Sequence, residues 1–267
     1  MKDDLGPVAI NSALQGAFGT PFRFQETTGS TNADALEWAR RGAPHGAVVV
    51  AGQQTAGRGR WGRSWRSEPG RSLLFSVILR PPPASANVGL LMTVLGLACV
   101  DAFERLDDLA VRLKWPNDVI VSGRKVAGIL VESHGTLGID AVVAGVGVNV
   151  DWPADLLPPD IRATATSLMT ELSPDELPTR ADLLALILVA IETGYARWLD
   201  PSSWDGIIER ANTVSAVVGR RVTIGYAGGG TTAGTAVGIR ADGRLELAQE
   251  GRTVAIDAGE IVQIRPD

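Results

Sequence analysis

Gly57-Arg58-Gly59-Arg60-Trp61-Gly62-Arg63 packs three arginines and three glycines into seven residues, directly before Ser64-Trp65-Arg66. Glycine leaves backbone N–H groups open to close approach, because no Cβ stands in the way. Arginine adds forked, permanently charged donors that match phosphate and carboxylate oxygens. Apart from Trp61 and Trp65 the segment offers nothing to pack. It reads as an anion-binding loop. Arginine–glycine segments also occur in disordered RNA binders, but here there is one copy inside a globular chain.

Three further stretches hold residues that could do chemistry. Gly29-Ser30-Thr31-Asn32 offers small hydroxyl and amide groups at a helix start, where plain capping would account for Ser30 or Thr31 alone. Lys114-Trp115-Pro116-Asn117-Asp118 gathers a cation, an aromatic ring, an amide and a carboxylate around a proline. By itself it suits a strand end with a turn as well as a ligand-facing corner. Gly123-Arg124-Lys125-Val126-Ala127-Gly128-Ile129-Leu130 places Lys125 where the next residues alternate toward a core. An inward lysine needs a partner, and an anionic ligand would supply one; a hairpin lysine in solvent is the plain alternative.

The elements that must position these groups follow from pattern. Thr31-Asn32-Ala33-Asp34 has the hydroxyl-to-acid spacing of a capping box, and the helix it opens is closed by Gly42. The β-branched run Ala47–Ala51 is a buried strand leading through Gln53-Gln54 into the arginine loop. Ser72–Leu79 is a second strand, ended by a stiff turn at Pro81-Pro82-Pro83. Val88–Leu106 is a buried helix, apolar on nearly every face through Val100. Short strands around Pro116, a Ser122-Gly123 hairpin, a strand over Lys125–Glu132, a turn at Gly135–Gly138 and a strand over Ile139–Val150 imply a mixed, mainly antiparallel sheet backed by helices. Residues up to about Phe24 read as a leading helix or loose segment; Arg180–Trp198 and Ser203–Asn212 read as helices.

After about Val214 short strands alternate with glycine turns such as Asp242-Gly243, the texture of a small β-barrel. The expected organisation is therefore α+β, with a large domain at 1–213 and a small one at 214–267. A length of 267 residues and 45% hydrophobic residues fit such a globular pair. A net charge of −5 argues against a dedicated DNA-binding protein, so the basic loop is a local site on an acidic body. Cys99 has no second cysteine to pair with and sits in an apolar run, which suits a packed thiol in a reducing compartment. His45, His134 and Cys99 are too few for a transition-metal site. The N-terminus lacks a signal-peptide pattern, and the runs Val88–Val100 and Leu183–Ile191 are too short to span a bilayer. A cytoplasmic protein with no membrane partner is expected.

In their order, these motifs resemble the biotin–protein ligases (biotin–acetyl-CoA-carboxylase ligases). The resemblance rests on Gly29–Asn32, Gln54, Gly57–Arg63, Trp65, Lys114–Asp118, Lys125–Leu130 and Gly145-Val146-Gly147-Val148-Asn149-Val150, and runs from about Phe24 to the C-terminus. It implies a class II synthetase-like catalytic domain with an SH3-like C-terminal barrel. It also implies an enzyme that makes biotinyl-5′-adenylate from biotin and ATP with Mg2+, then moves biotin to a lysine of a carrier domain of an acyl-CoA carboxylase. By position, Ser30, Thr31, Asn32 and Gln54 would hold the biotin ureido head or line its pocket. Arg58, Gly59 and Arg60 would hold the carboxylate and phosphate region, with Lys125 on the reacting carboxylate and phosphoryl oxygens. Arg58 and Lys125 are the catalytic candidates. Trp65, Asn117 and Asn149 would line the adenylate side, and Asp118 would act through the magnesium.

Trp61 stands where the family often has a basic residue. Family members with two functions carry an N-terminal winged-helix domain; the two dozen residues ahead of the ligase motifs are too few for one, so no DNA binding is expected. Two readings compete with biotin ligation: a lipoate or octanoate ligase or transferase on the same kind of fold, and a nucleic-acid-binding module centred on the arginine loop. The polar set Ser30, Thr31, Asn32 and Gln54 favours a ureido ring over a linear acyl chain. Joining a carboxylate to a triphosphate requires neutralised charge and in-line positioning rather than a protein nucleophile, and Gly-x-Ser-x-Gly is absent. Because the adenylate hydrolyses easily, Gly57–Arg66 is expected to open without ligand and close over it.

Overall fold

A computed structural model describes residues 4–82, 87–106, 109–135 and 140–265. In chain order the elements are α1 (Pro7–Ala13), β1 (Phe22–Thr28), α2 (Thr31–Arg40), β2 (Val48–Gln54), β3 (Ser72–Leu79), α3 (Val88–Phe103), β4 (Val111–Lys114), β5 (Asp118–Val121), β6 (Arg124–His134) and β7 (Ala141–Asn149). The single-turn α4 (Leu168–Glu171) and helices α5 (Arg180–Leu199) and α6 (Trp204–Thr213) follow. Strands β8 (Arg221–Gly225), β9 (Thr231–Ile239), β10 (Leu245–Gln249), β11 (Arg252–Ile256) and β12 (Glu260–Ile264) complete the chain.

The first seven strands form one sheet in the order β1-β2-β3-β7-β6-β5-β4. Only β1 and β2 run parallel; every other neighbouring pair is antiparallel. The mixed, mainly antiparallel sheet expected from the hairpin signals is what the chain builds. Strand β1 was not legible: Phe22–Thr28 interleaves Arg23, Gln25 and Glu26 with its two phenylalanines, and the sheet edge it occupies leaves it half-buried. The turns expected at 81–83 and 135–138, and the start of a strand at 139, lie wholly or partly outside the described residues.

Core packing explains which face is left for a site. Helices α3 and α5 cover one face of the sheet, where Phe75, Val77, Val142, Ala144, Val146 and Val148 are buried with Leu91, Leu95, Leu184 and Leu188. Cys99 is among them, and burial pushes its thiol up to about 12, a packing group rather than a nucleophile. On the other face α2 covers only one end, with Ala35 and Ala39 on Val49, Ile78, Ala141 and Val143. The rest of that face is where the motifs meet.

The last five strands form a separate antiparallel sheet, β11-β10-β9-β8-β12. Several contacts fasten it to the large domain. The backbone at 214–216 pairs with the edge strand β4, through Leu113 N–H to Val214 O (2.9 Å) and Ala216 N–H to Leu113 O (2.9 Å). The Trp115 indole donates to Gly243 O (3.0 Å), and Asn87 Nδ2 donates to Ala241 O (2.5 Å). Finally Gly89, in the first turn of α3, meets the Asp242-Gly243 turn backbone to backbone, and a Cβ on either glycine would overlap the other segment's backbone. Gly243 also sits at φ +79°. Gly243→Ala is therefore expected to lose roughly 2–4 kcal/mol of stability, from positive φ and overpacking together. An unchanged urea midpoint would contradict that contact.

Candidate active site

The site begins with missing side chains. In β6 and β7, Gly128 pairs with Gly147 and Leu130 with Gly145; Gly145 is also opposite Ser76 on β3. Side chains alternate along a strand. Ala141 and Val143 pack under α2, and the same face continues as Gly145 and Gly147 once the helix has ended. Three glycines thus make a flat floor. Asn32 lies against Gly145, the Trp65 ring against Gly147, and Lys125 against Gly128, where an added Cβ would stand 2.9 Å from Nζ. A cavity that opens to solvent lies over this floor.

One end is uncharged. Ser30 is the N-cap of α2 but makes no capping hydrogen bond. Gln54, the last residue of β2, takes over: its Oε1 accepts from Thr31 N (2.7 Å) and Thr31 Oγ1 (3.0 Å). The capping box expected at Thr31–Asp34 does not form, because Asp34 accepts instead from Gln25 Nε2 (3.0 Å) and Thr28 Oγ1 (2.5 Å). The Ser76 hydroxyl lies 2.6 Å from Asn32 Oδ1 and 2.8 Å from Thr31 Oγ1. Asn32 Nδ2 donates to Leu130 O (3.3 Å) and Glu132 Oε2 (2.8 Å). Ser30, Thr31, Asn32 and Ser76 are all buried. A buried cluster of neutral donors and acceptors suits a neutral, hydrogen-bonding head group.

The other end is cationic. Arg58 donates to Glu132 Oε2 (3.0 Å). Lys125 Nζ lies 2.5 Å from Asp118 Oδ1 and 5.3 Å from the centre of the Trp65 ring. Arg60 donates to Gly259 O (2.9 Å), and Arg63 pairs with Glu260, so the arginine loop leans on the small sheet. Burial pulls the Arg60 guanidinium below its usual pKa, opposed by the carboxylates of Glu260 and Asp118. Arginine keeps its charge through such a shift. Trp61, unexplained in the sequence, adopts φ +56°, and the centre of its ring lies 5.2 Å from the guanidinium carbon of Arg60 and 5.9 Å from that of Arg63. Those distances are cation–π contacts that brace the loop.

Of the residues singled out in the sequence, Ser30, Thr31, Asn32, Gln54, Arg58, Gly59, Arg60, Trp65, Asn117, Asp118 and Lys125 line this one cavity. Lys125 is the inward lysine, not a solvent hairpin residue. Asn149 is placed apart: it is buried at the end of β7 and donates to Thr166 O (2.9 Å). The Lys114–Asp118 stretch divides. Asn117 is tied back to β6 by Nδ2 to Ile129 O (2.8 Å) and by its own carbonyl to Ile129 N (3.0 Å), while Trp115 is a buried packing residue. Sequence reasoning missed Ser76, Glu132 and Glu260. Glu132 had a signal, since it continues the alternation Gly128–Leu130 by one step; Ser76 and Glu260 come from elements with no motif of their own.

Among the described residues no group of three or more His, Cys, Asp or Glu gathers to hold a metal. Asp118, the carboxylate expected to act through magnesium, is already paired with Lys125. Such a donor set suits a Mg2+ that arrives on substrate phosphates and keeps most of its ligands from them and from water.

Residues 22–149 match the Biotin/lipoate A/B protein ligase family, and residues 217–262 match the Biotin protein ligase C terminal domain. The chain is 37% identical over 243 residues to the biotin–[acetyl-CoA-carboxylase] ligase of Mycobacterium tuberculosis, covering 89% of this chain and 87% of that protein. It is 34% identical over 177 residues to the bifunctional ligase/repressor BirA of Bacillus spizizenii, which is 66% of this chain and about half, 54%, of that protein. Among solved structures it resembles the biotin protein ligase of Aquifex aeolicus in complex with biotin and ATP, with a TM-score of 0.78 and 29% identity, over 92% of this chain and 99% of that one.

Proposed function

The chain belongs to the biotin protein ligase family, and from that premise we propose that it joins biotin to ATP and transfers the biotinyl group to a lysine of a biotin carboxyl carrier domain. One observation carries the reading at the level of this chain: a single glycine floor connects a buried neutral hydrogen-bonding end with a cationic end. Biotin has that polarity, a urea at one end and a carboxylate at the other.

The neutral end, Ser30, Thr31, Asn32 and Gln54, takes the ureido head. Arg58 and Lys125 hold the carboxylate against the α-phosphate, with Gly59 and Arg60 beside them. The carboxylate oxygen attacks phosphorus, the bond to the bridging oxygen breaks, and diphosphate leaves with that electron pair. Two anions must approach each other, so the cations lower the barrier by electrostatics and alignment. Magnesium, when bound with ATP, neutralises phosphate charge. In the second step a neutral carrier lysine attacks the acyl carbon of the mixed anhydride and AMP departs. Trp65, Asn117 and Asn149 are assigned to the adenylate side. For Asn149 the support is family position alone, since its side chain is engaged with Thr166 O. Closure of Gly57–Arg66 over the intermediate would keep water out.

The division at 213/214 is supported by the end of α6 at Thr213 and the start of a second sheet at β8. Use of ATP supports a cytoplasmic setting; among the described residues no helix is long and apolar enough to cross a membrane. The deciding experiment is mass spectrometry of a biotin carrier domain after incubation with this protein, biotin and ATP-Mg. One added biotinyl group on one lysine is expected. An unmodified carrier, or modification with lipoate but not biotin, would refute the reading.

A further inference from the structure

Resting on that reading of the site, we infer that Glu132 is a positioning residue that ties the neutral end of the cavity to the loop arginine Arg58. Both contacts converge on one atom. Glu132 Oε2 accepts from Asn32 Nδ2 at 2.8 Å and from Arg58 at 3.0 Å. The carboxylate side chain is 27% exposed, whereas Arg58 is 45% exposed and Asn32 only 3%. Glu132 therefore stands at the boundary between the buried head-group pocket and the solvent-facing loop.

The Asn32 amide has little freedom of its own. The Ser76 hydroxyl is 2.6 Å from its Oδ1, and an amide oxygen only accepts, so Ser76 must donate there. Its Nδ2 then faces two acceptors, Leu130 O and the Glu132 carboxylate. Reversing the amide would set its oxygen against both of them. Glu132 thus fixes which edge of Asn32 is a donor. On the other side, Arg58 uses one terminal nitrogen on Glu132 and keeps its remaining N–H groups for a substrate anion. Without that carboxylate the Arg58 guanidinium loses its ion pair, while its backbone stays bridged to Ser64. With Ser76 donating to Asn32, the bonds Asn32 to Glu132 and Arg58 to Glu132 link the start of α2 to the arginine loop.

Two variants separate these roles. Because both donors converge on Oε2, the carbonyl oxygen of Glu132→Gln can replace it, keeping Asn32 oriented while removing the charge that holds Arg58. This variant should keep its biotin KM within about twofold and lose the adenylate about fivefold faster, the scale of one partly exposed ion pair. Glu132→Ala removes both contacts and should also raise the biotin KM about tenfold. The measurements are biotin-dependent ATP–pyrophosphate exchange and the decay of protein-bound adenylate after removal of free biotin, with the wild type run in parallel. A residue that only supports the fold would lower Tm and leave the biotin KM and adenylate lifetime alone; that result for Glu132→Ala overturns the inference. If Glu132→Ala does not fold, a wild-type adenylate lifetime in Glu132→Gln overturns it equally. A wild-type protein with no biotin-dependent exchange overturns the function proposed above and this inference with it, so the two failures are distinct.

Discussion

Lys125→Ala is expected to reduce biotin-dependent ATP–pyrophosphate exchange by about 10²–10³-fold, the usual loss when one charge-stabilising donor is removed from a preorganised site. Lys125 is the inward cation of the cavity. It lies against Gly128, over the Trp65 ring and beside Asp118. Its side chain is 32% exposed, so removing it opens no sealed core cavity. The thermal midpoint should stay within a few degrees of wild type. Adding biotin at high concentration should not restore the rate, because the missing charge acts on the developing transition state and not on head-group binding. Exchange within threefold of wild type would remove Lys125 from the reacting centre. Asp118 would then be the only charged side chain of the Asn117-Asp118 corner left to account for, with its partner shown to be dispensable.

The same residue shows how much of the site was legible in the sequence. The pattern left Lys125 either inward or in solvent. Strict alternation would set it on the opposite face from Gly128 and Leu130. A register shift between β5 and β6, where Val119 pairs with Ala127 but Ile120 with Lys125, accompanies its approach to Gly128. Strand β7 was readable as a continuous run of apolar residues and glycine over 141–148, one face of which meets α3 and α5 while the other meets α2 at one end and the cavity at the other. Its glycines were visible as a motif, but their use as a floor was not, since that depends on which residues of α2 and of the loop lie above them. The helix start failed in an instructive way. Thr31 and Asp34 have capping-box spacing, yet a glutamine 23 residues away from Thr31 caps the helix, leaving the Ser30 hydroxyl free at the cavity. Strand β1 failed because an edge strand needs no continuous apolar run. The docking of Arg60 and Arg63 on Gly259 and Glu260 joins residues nearly 200 positions apart, and no local pattern encodes such a contact.

Gly145 should separate shape from charge. A Cβ at this position would collide with the Asn32 amide. Asn32 cannot yield easily, because Ser76, Leu130 O and Glu132 each hold one side of it. Overpacking a site that cannot relax costs about 1–3 kcal/mol, and here the strain falls on the head-group pocket. Gly145→Ala should therefore raise the biotin KM by about 10- to 100-fold, the equivalent of that energy, while the KM for ATP changes little. Gly145→Val should abolish activity in a protein that still folds. Gly147→Ala is the informative contrast, two residues along the same strand face. Its added Cβ would stand 2.6 Å from the Trp65 ring. Trp65 is carried on the loop side, and its buried indole nitrogen has no hydrogen-bond partner among the described residues, so no hydrogen bond at that atom resists its displacement. That variant should keep its biotin KM nearer to wild type and lose the adenylate faster. Equal effects of the two alanines on biotin KM would mean that the floor acts as a single surface and that Asn32 is not the rigid contact its hydrogen bonds describe.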